Sequence, residues 1–570
     1  VIRGSQILKF EFLFAKMRPL KFELSIILVF FVIALCSLTF YYVDGDDSIT
    51  ALYHLLGRNP LLQKQFSFYH SGFDYILSFL PANEPIIRIF SISISFAAQI
   101  VMCMLMLRLV FQWLGILAND IMAIKLMLIF FLAVPEYLFM GLLYNPTAVA
   151  MVFLLAAHLI LKNLFVKNIE VFSKFGMAAI LISMLFFGFG VTVRWNTGLY
   201  GLVIFGDLIR TDLKNKKTYF VSIIWGVLSL ICVAVFWKIQ GIDQTMVMSV
   251  LSYSSDVGAI VSASSLFYKY ALSHSFYTPI FLLLTFLGFM ISIQKNRPFM
   301  IFSLLGLPCF LIFKTIEAKL TVMFHPFLIY WFFIGVRGMV NWLEDRKYFK
   351  MVCLFILIAP WIIGLKIYST STSWGPGFEI NNASVRDSKI SVETQGIINT
   401  LFERVKVTFF DGMAVPTLEG PRPLGGYAGI FLGGKWRNFV QARANEYLFF
   451  VQKAENEKLP IVISGGSAYI ETTLYNLGYS TTDPFNNILA GTVMKRTFVH
   501  PNRNAITIYH MQKFEFLAEE VQQLLKDDSG SAQLLFFSDY TSVITDILNL
   551  KKHKIQKLGP FTLDLTLGQK

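Results

Sequence analysis

Charged residues are scarce in this chain: they make up only 15% of 570 residues, too few to clothe an ordinary water-soluble globule of that length. Cysteine is scarcer still. Cys36, Cys103, Cys232, Cys309 and Cys353 all fall within apolar runs, which excludes a disulfide framework and a cysteine metal site. No HExxH or other paired histidine spacing occurs, so the signature of a zinc hydrolase is missing. Internal repeats and low-complexity segments are absent as well. What the chain has in abundance is apolar surface, with 55% hydrophobic and 16% aromatic residues, the composition of a polytopic membrane protein. Its net charge of +13 does not point to nucleic acid, because the basic residues gather in short segments between apolar runs.

A helix needs roughly 20 mostly apolar residues to cross the hydrocarbon. That measure predicts about eleven spans, at 22–42, 86–112, 121–138, 146–162, 176–193, 197–209, 218–238, 275–294, 298–314, 320–340 and 350–368. With Val1 in place of an initiating Met, an upstream stretch is expected, and the basic, apolar N-terminus reads as an uncleaved first span. Basic residues beside the first, fourth, sixth, eighth and tenth spans (Arg18, Lys162, Arg210, Lys295 and Arg337 among them) fall on one side when eleven spans are threaded in order. The positive-inside rule makes that side cytoplasmic, so the N-terminus is expected inside and the tail outside.

The tail changes character at about 369. Apolar runs shorten, and VKVTFF (405–410), LPIVISGG (459–466) and AQLLFFSD (532–539) read as short buried strands of an α/β domain with some parallel pairing. The expected organisation is thus a mainly α transmembrane domain over 1–368 and a soluble extracytoplasmic α/β domain over 369–570. Gly465, Gly466 and Ser467 have a shape that can cradle phosphate, but without full nucleotide-loop spacing they read as a tight strand-to-helix turn.

The chemistry-bearing residues gather at the external ends of the predicted spans. Asp44, Asp46 and Asp47 follow the first span, in VDGDDSITALYHLLGRN, where carboxylates are either simply solvated or held for use. Asp46 and Asp47 precede an amphipathic stretch suited to a surface helix, which Asp47 or Ser48 would equally well cap. Arg194 stands beside Trp195 where a span breaks off; it either snorkels to headgroups or, with Asn196, lines a cavity. Lys314 and Lys319 are external cations, against the orientation bias, with Glu317 between them. Glu136, in AVPEYLFMGLLYNP, either joins the acids or is a loop residue.

A first span, an acidic pair, an amphipathic helix and then a Tyr/His segment before the second span resemble the layout of the GT-C superfamily of lipid-phosphate-sugar glycosyltransferases, among them protein O-mannosyltransferases and bacterial aminoarabinose transferases. The resemblance covers the membrane half, most specifically 40–85 and 313–330. In those families an Asp-Glu pair opens the first external loop. Asp46 and Asp47 match it by position, with Asp in place of Glu, and Asp44 with Asp46 also reads as a D-x-D. Tyr69 and His70 fall where the family places a Tyr or His before two prolines, although Ser71 and Gly72 stand in the proline places. Lys319 and Pro326 of FKTIEAKLTVMFHPFLIY match a basic residue and a final proline that precede a late span, with Leu320 and Met323 departing from the pattern.

The resemblance implies sugar transfer from a polyprenyl phosphate to an acceptor hydroxyl on lipid, glycan or protein, at the external face of a membrane, expected to be a bacterial inner membrane. Asp46, then Asp47 or Asp44, would be the base; Arg194, Lys314 and Lys319 would hold the donor phosphate; Tyr69, His70 and Glu136 would bind substrate. No cofactor is required, although Asp44 and Asp46 suit a divalent cation such as Mg²⁺ or Mn²⁺. The alternatives are a transporter or flippase for lipid-linked glycan, which should show two corresponding halves, and a sensor whose tail binds glycan.

Overall fold

The computed structural model describes residues 21–37, 71–81, 84–117, 120–134, 136–139, 145–166, 173–211, 216–242, 279–307, 322–343, 347–370, 447–464, 470, 473–474, 477–481, 493–511, 533–538, 554–558 and 562–566. The membrane half comprises helices α1 (Lys21–Ser37), α2 (Ser71–Leu77), α3 (Glu84–Leu114), α4 (Ile121–Ala133), α5 (Glu136–Phe139), α6 (Pro146–Val166) and α7 (Lys174–Val193). A 3₁₀ turn at Trp195–Leu199 then leads into α8 (Tyr200–Thr211), followed by α9 (Lys216–Ile239), α10 (Pro279–Lys295) and α11 (Arg297–Leu304). A second 3₁₀ turn, Val322–Phe324, opens α12 (His325–Trp342), and α13 (Lys347–Thr370) follows.

Five of these helices are long and apolar enough to cross a membrane, or six if the pair α10 and α11, bent by 119°, counts as one span. The chain is therefore an integral membrane protein. Eleven crossings do not follow from the described helices. Every predicted span overlaps a helix, but α4 stops at Ala133, before Val134 and Pro135, and α11 stops at Leu304. Proline lacks the N–H that would continue α4. The segment at 197–209 begins as a 3₁₀ turn and has only a 12-residue α-helix.

Helix starts are written locally. Asp120 accepts from Met122 N–H at 3.1 Å, Ser173 from Gly176 N–H at 3.0 Å and Asn296 from Phe299 N–H at 3.3 Å, each satisfying a donor that the first turn leaves without a partner. Between the helices, aromatic rings fill the core: Phe111 stacks on Phe333, and Phe130 meets Phe281, Phe332 and Phe333 edge-on. Where α10 crosses α12, Gly288 and Gly335 let backbone meet backbone; a Cβ on either would overlap the other helix's main chain. The outer surface is apolar too. Thr218–Ile239 has the highest hydropathy of the five spans, yet only 28% of it is buried, a face that water would penalise and acyl chains accept.

In the tail, six strands form one mixed sheet in the order β2-β3-β1-β4-β6-β5: β1 (Ile461–Ser464), β2 (Val493–His500), β3 (Arg503–Met511), β4 (Gln533–Ser538), β5 (Lys554–Lys557) and β6 (Thr562–Thr566). The two predicted strands at 459–466 and 532–539 are β1 and β4, and they pair in parallel, as β1 does with β3. Their unbroken apolar runs are those of strands covered on both faces. VKVTFF lies outside the described residues. A helix over 447–457 packs Phe450, Val451 and Ala454 into a core with Ile461, Ile463, Ile508 and Leu535.

Tyr479 closes this core, its hydroxyl donating to the Asn504 carbonyl at 3.2 Å. Burial, reinforced by the Glu455 charge, pushes the phenol up to about 12. A raised folded-state value means that the fold holds this proton more tightly than the unfolded chain does. Stability is therefore expected to be complete below about pH 10 and to decline from there toward pH 12. Comparing denaturation of wild type and Tyr479→Phe across pH 8 to 12 checks this, and parallel curves would refute it.

Candidate functional site

Of the residues expected at the site, Asp44, Asp46, Asp47, Tyr69, His70, Lys314 and Lys319 lie outside the described residues. Glu136 opens α5, and its side chain also lies outside them. Arg194 is described. It ends α7 in an extended conformation (φ −152°, ψ 104°), and its side chain is almost fully buried, with the residue 7% exposed. Its carbonyl accepts from Thr197 N–H at 3.0 Å and from Thr197 Oγ1 at 2.6 Å, which fixes the turn that carries Asn196. Of the two alternatives for Arg194, snorkelling into headgroups does not fit this burial; lining an interior does.

Arg194 and Asn196 belong to a polar assembly at the end of α7. Ser71 Oγ donates to the Thr192 carbonyl at 3.1 Å, and Gly72 lies so close that a Cβ there would meet Thr192 Oγ1 at 2.6 Å. Gln240, just beyond α9, donates through Nε2 to Thr192 Oγ1 at 3.0 Å. Asp74, one turn along α2 from Ser71, is buried, and burial pushes its carboxyl well above the usual carboxylate range. The structure thus joins the described part of the 66–81 segment, residues 71–81, to the Arg194 break. Asp74 stood in that segment without being singled out, and the signal was an acid amid Phe73, Tyr75 and Ile76.

A second network joins the other two motif segments. Tyr137, which follows Glu136, meets His325 of the MFHPF run through its hydroxyl and Nδ1 at 2.6 Å. The Tyr137 carbonyl accepts from Gln99 Nε2 at 2.9 Å, and Gln99 Oε1 accepts from Asn145 Nδ2 at 3.2 Å. These bonds tie α3, α5, α6 and α12 together and set the backbone at Glu136.

The most heavily charged cluster lies elsewhere. Asp207 on α8 accepts through Oδ2 from Trp113 Nε1 at 2.9 Å, Lys162 Nζ at 2.6 Å and His158 Nε2 at 2.9 Å. Its Oδ1 accepts from Arg210 at 2.8 Å. Since the carboxylate only accepts, His158 carries its proton on Nε2, leaving Nδ1 to take the Tyr200 hydroxyl proton at 3.0 Å. Lys162 and Asn145 stand near opposite ends of the same helix, about 25 Å apart at 1.5 Å per residue. Lys162 was expected to follow its span; instead α6 runs on to Val166 and buries it. With its carboxylate already saturated by N–H donors, the cluster is a clasp between α3, α6 and α8, with no open valence for chemistry. Among the described residues no three His, Cys, Asp or Glu gather as a metal would require.

No protein-family profile and no curated protein matches the chain. Among solved structures, it is similar to the crystal structure of ArnT from Cupriavidus metallidurans in the apo state, at 10% identity over 96% of this chain and 98% of that one, with a TM-score of 0.49. It is also similar to ArnT from Cupriavidus metallidurans bound to undecaprenyl phosphate, at the same identity and coverage, with a TM-score of 0.44.

Proposed function

We propose that the protein is a membrane-embedded glycosyltransferase that moves a sugar from a polyprenyl-phosphate donor to an acceptor hydroxyl. The observation that carries this reading is the buried guanidinium of Arg194 at a helix break, two residues past Thr192, whose carbonyl accepts from Ser71 of the segment that resembles the GT-C layout. A cation taken out of water at such cost suits an anion delivered from the bilayer. As the acceptor oxygen bonds to C1 of the sugar, the C1–O bond to phosphate breaks and charge on the leaving phosphate grows. Arg194, Lys314 and Lys319 therefore stabilise the transition state more than the bound donor. Asp46 or Asp47, with Asp44 beside them, takes the acceptor proton, while Tyr69, His70 and Glu136 position the substrates.

In this reading residues 1–368 are catalytic, and 369–570 form an extracytoplasmic domain at a bacterial inner membrane. No cofactor is needed; were Asp44 and Asp46 to hold Mg²⁺ or Mn²⁺, chelation would abolish transfer. The test measures sugar transfer, and polyprenyl phosphate released, by membranes carrying Asp46→Asn, Asp47→Asn or both. Loss of transfer in at least one variant, with normal protein levels, is expected. Undiminished transfer in all three ends the proposal.

A further inference from the structure

Three buried side-chain oxygens near Thr192, Asp74 Oδ1, Asn196 Oδ1 and Gln240 Oε1, accept no hydrogen bond from any described residue. Their proximity follows from bonds already described. Gln240 holds Thr192 Oγ1 through Nε2, so Oε1 of the same amide lies within a few ångströms of it. Ser71 holds the Thr192 carbonyl, and Asp74 is its neighbour three residues on, at about 5–6 Å between Cβ atoms on a helix surface. Asn196 lies one turn past Thr192, in the 3₁₀ segment that Thr197 pins to Arg194.

A buried acceptor left without a donor loses its hydration with nothing in return, and native proteins tolerate few of them. Three from three separate elements that meet at Thr192 make a region short of donor hydrogens. Acyl chains have none to give. A ligand bearing several hydroxyls does, and it would reach this place beside the buried Arg194.

We propose that Asp74, Asn196 and Gln240 form the subsite that reads the hydroxyl groups of the donor's sugar ring, and so determine which sugar is transferred. This rests on the glycosyltransferase reading above. Gln240, Asn196 and Asp74 accept from ring hydroxyls through these oxygens. Sites built to hydrogen-bond a substrate hydroxyl discriminate strongly against analogues that lack it.

The experiment measures binding to the detergent-purified full chain of bare undecaprenyl phosphate and of undecaprenyl phosphate carrying glucose, galactose, mannose, arabinose or 4-amino-arabinose. In wild type, at least one sugar-bearing lipid is expected to bind tenfold or more tightly than the bare lipid. Asn196→Leu and Gln240→Leu should reduce that preference below twofold while leaving bare-lipid affinity unchanged, which also reports that the variants are folded. Asn196→Asp, which keeps an acceptor oxygen, should retain the preference. Survival of the full preference in both leucine variants overturns the proposal, as does a wild type that binds bare lipid and prefers no sugar. Stabilisation of wild type by sodium or calcium chloride alone, abolished in Asp74→Asn, overturns it in favour of a cation site. A wild type that binds neither bare nor sugar-bearing lipid instead removes the glycosyltransferase reading beneath it.

Discussion

Asp207→Ala is expected to cost about 3–5 kcal/mol of stability, because it leaves the buried Lys162 and the half-buried Arg210 without their counter-charge. The carboxylate is the only acid among the cluster's members, and Trp113, His158 and both cations converge on it. Removing it therefore strands several donors at once. The partly exposed pair Arg108–Glu23 offers a contrast within the same bundle. Glu23→Gln should cost about 1 kcal/mol or less, since solvent screens what remains. Thermal unfolding in detergent, followed by size-exclusion recovery, distinguishes the two. An Asp207→Ala protein as heat-stable as wild type would falsify the clasp.

Gly288→Val is expected to cost about 3 kcal/mol, at or beyond the upper end for an overpacked core. Its Cβ would overlap the Trp331 carbonyl, and a carbonyl locked in α12 cannot swing aside as a flexible side chain would. The two helices must separate, losing dispersion contact along the whole crossing. Gly335→Ala meets the Leu284 carbonyl in the same way, so the double variant should cost less than the sum, both changes opening one seam. Gly226→Ala is the control. Nothing lies within 4 Å of a Cβ there, and the helix gains propensity, so that variant should be neutral or slightly more stable. Unfolding midpoints that rank Gly226→Ala with Gly288→Val would show that the crossing is not close.

Helix positions were legible because a chain in lipid must satisfy its backbone within each helix, so apolar runs coincide with helices. Lengths were less so. Pro135 should have ended the third span at 133, whereas the 119° bend at Asn296, between Lys295 and Arg297, falls between two predicted spans. Parallel pairing of the two tail strands was readable from their uninterrupted apolar runs. The cluster at Asp207 was not, since its partners come from α3, α6 and α8 and only three-dimensional packing makes them neighbours. One local signal existed: His158 and Lys162 are four apart on one face of an apolar helix. At the candidate site, Arg194 and Asn196 were readable as residues of a broken helix. Thr192 and Gln240 were not, because a threonine and a glutamine at helix ends are unremarkable until α7 and α9 converge; Asp74 was signalled only by its place amid Phe73, Tyr75 and Ile76.

Among the described residues the tail's sheet ends in β2 on one margin and β5 on the other. Val499 of β2 exchanges two main-chain bonds with Ser480, so only the rest of that margin, and that of β5, could offer main-chain groups to a neighbouring chain. Here the solvent-facing positions include Lys495 on β2 and Lys554 on β5. A like tail sliding alongside in register would bring ammonium against ammonium, a repulsion that opposes zipping into shared ribbons.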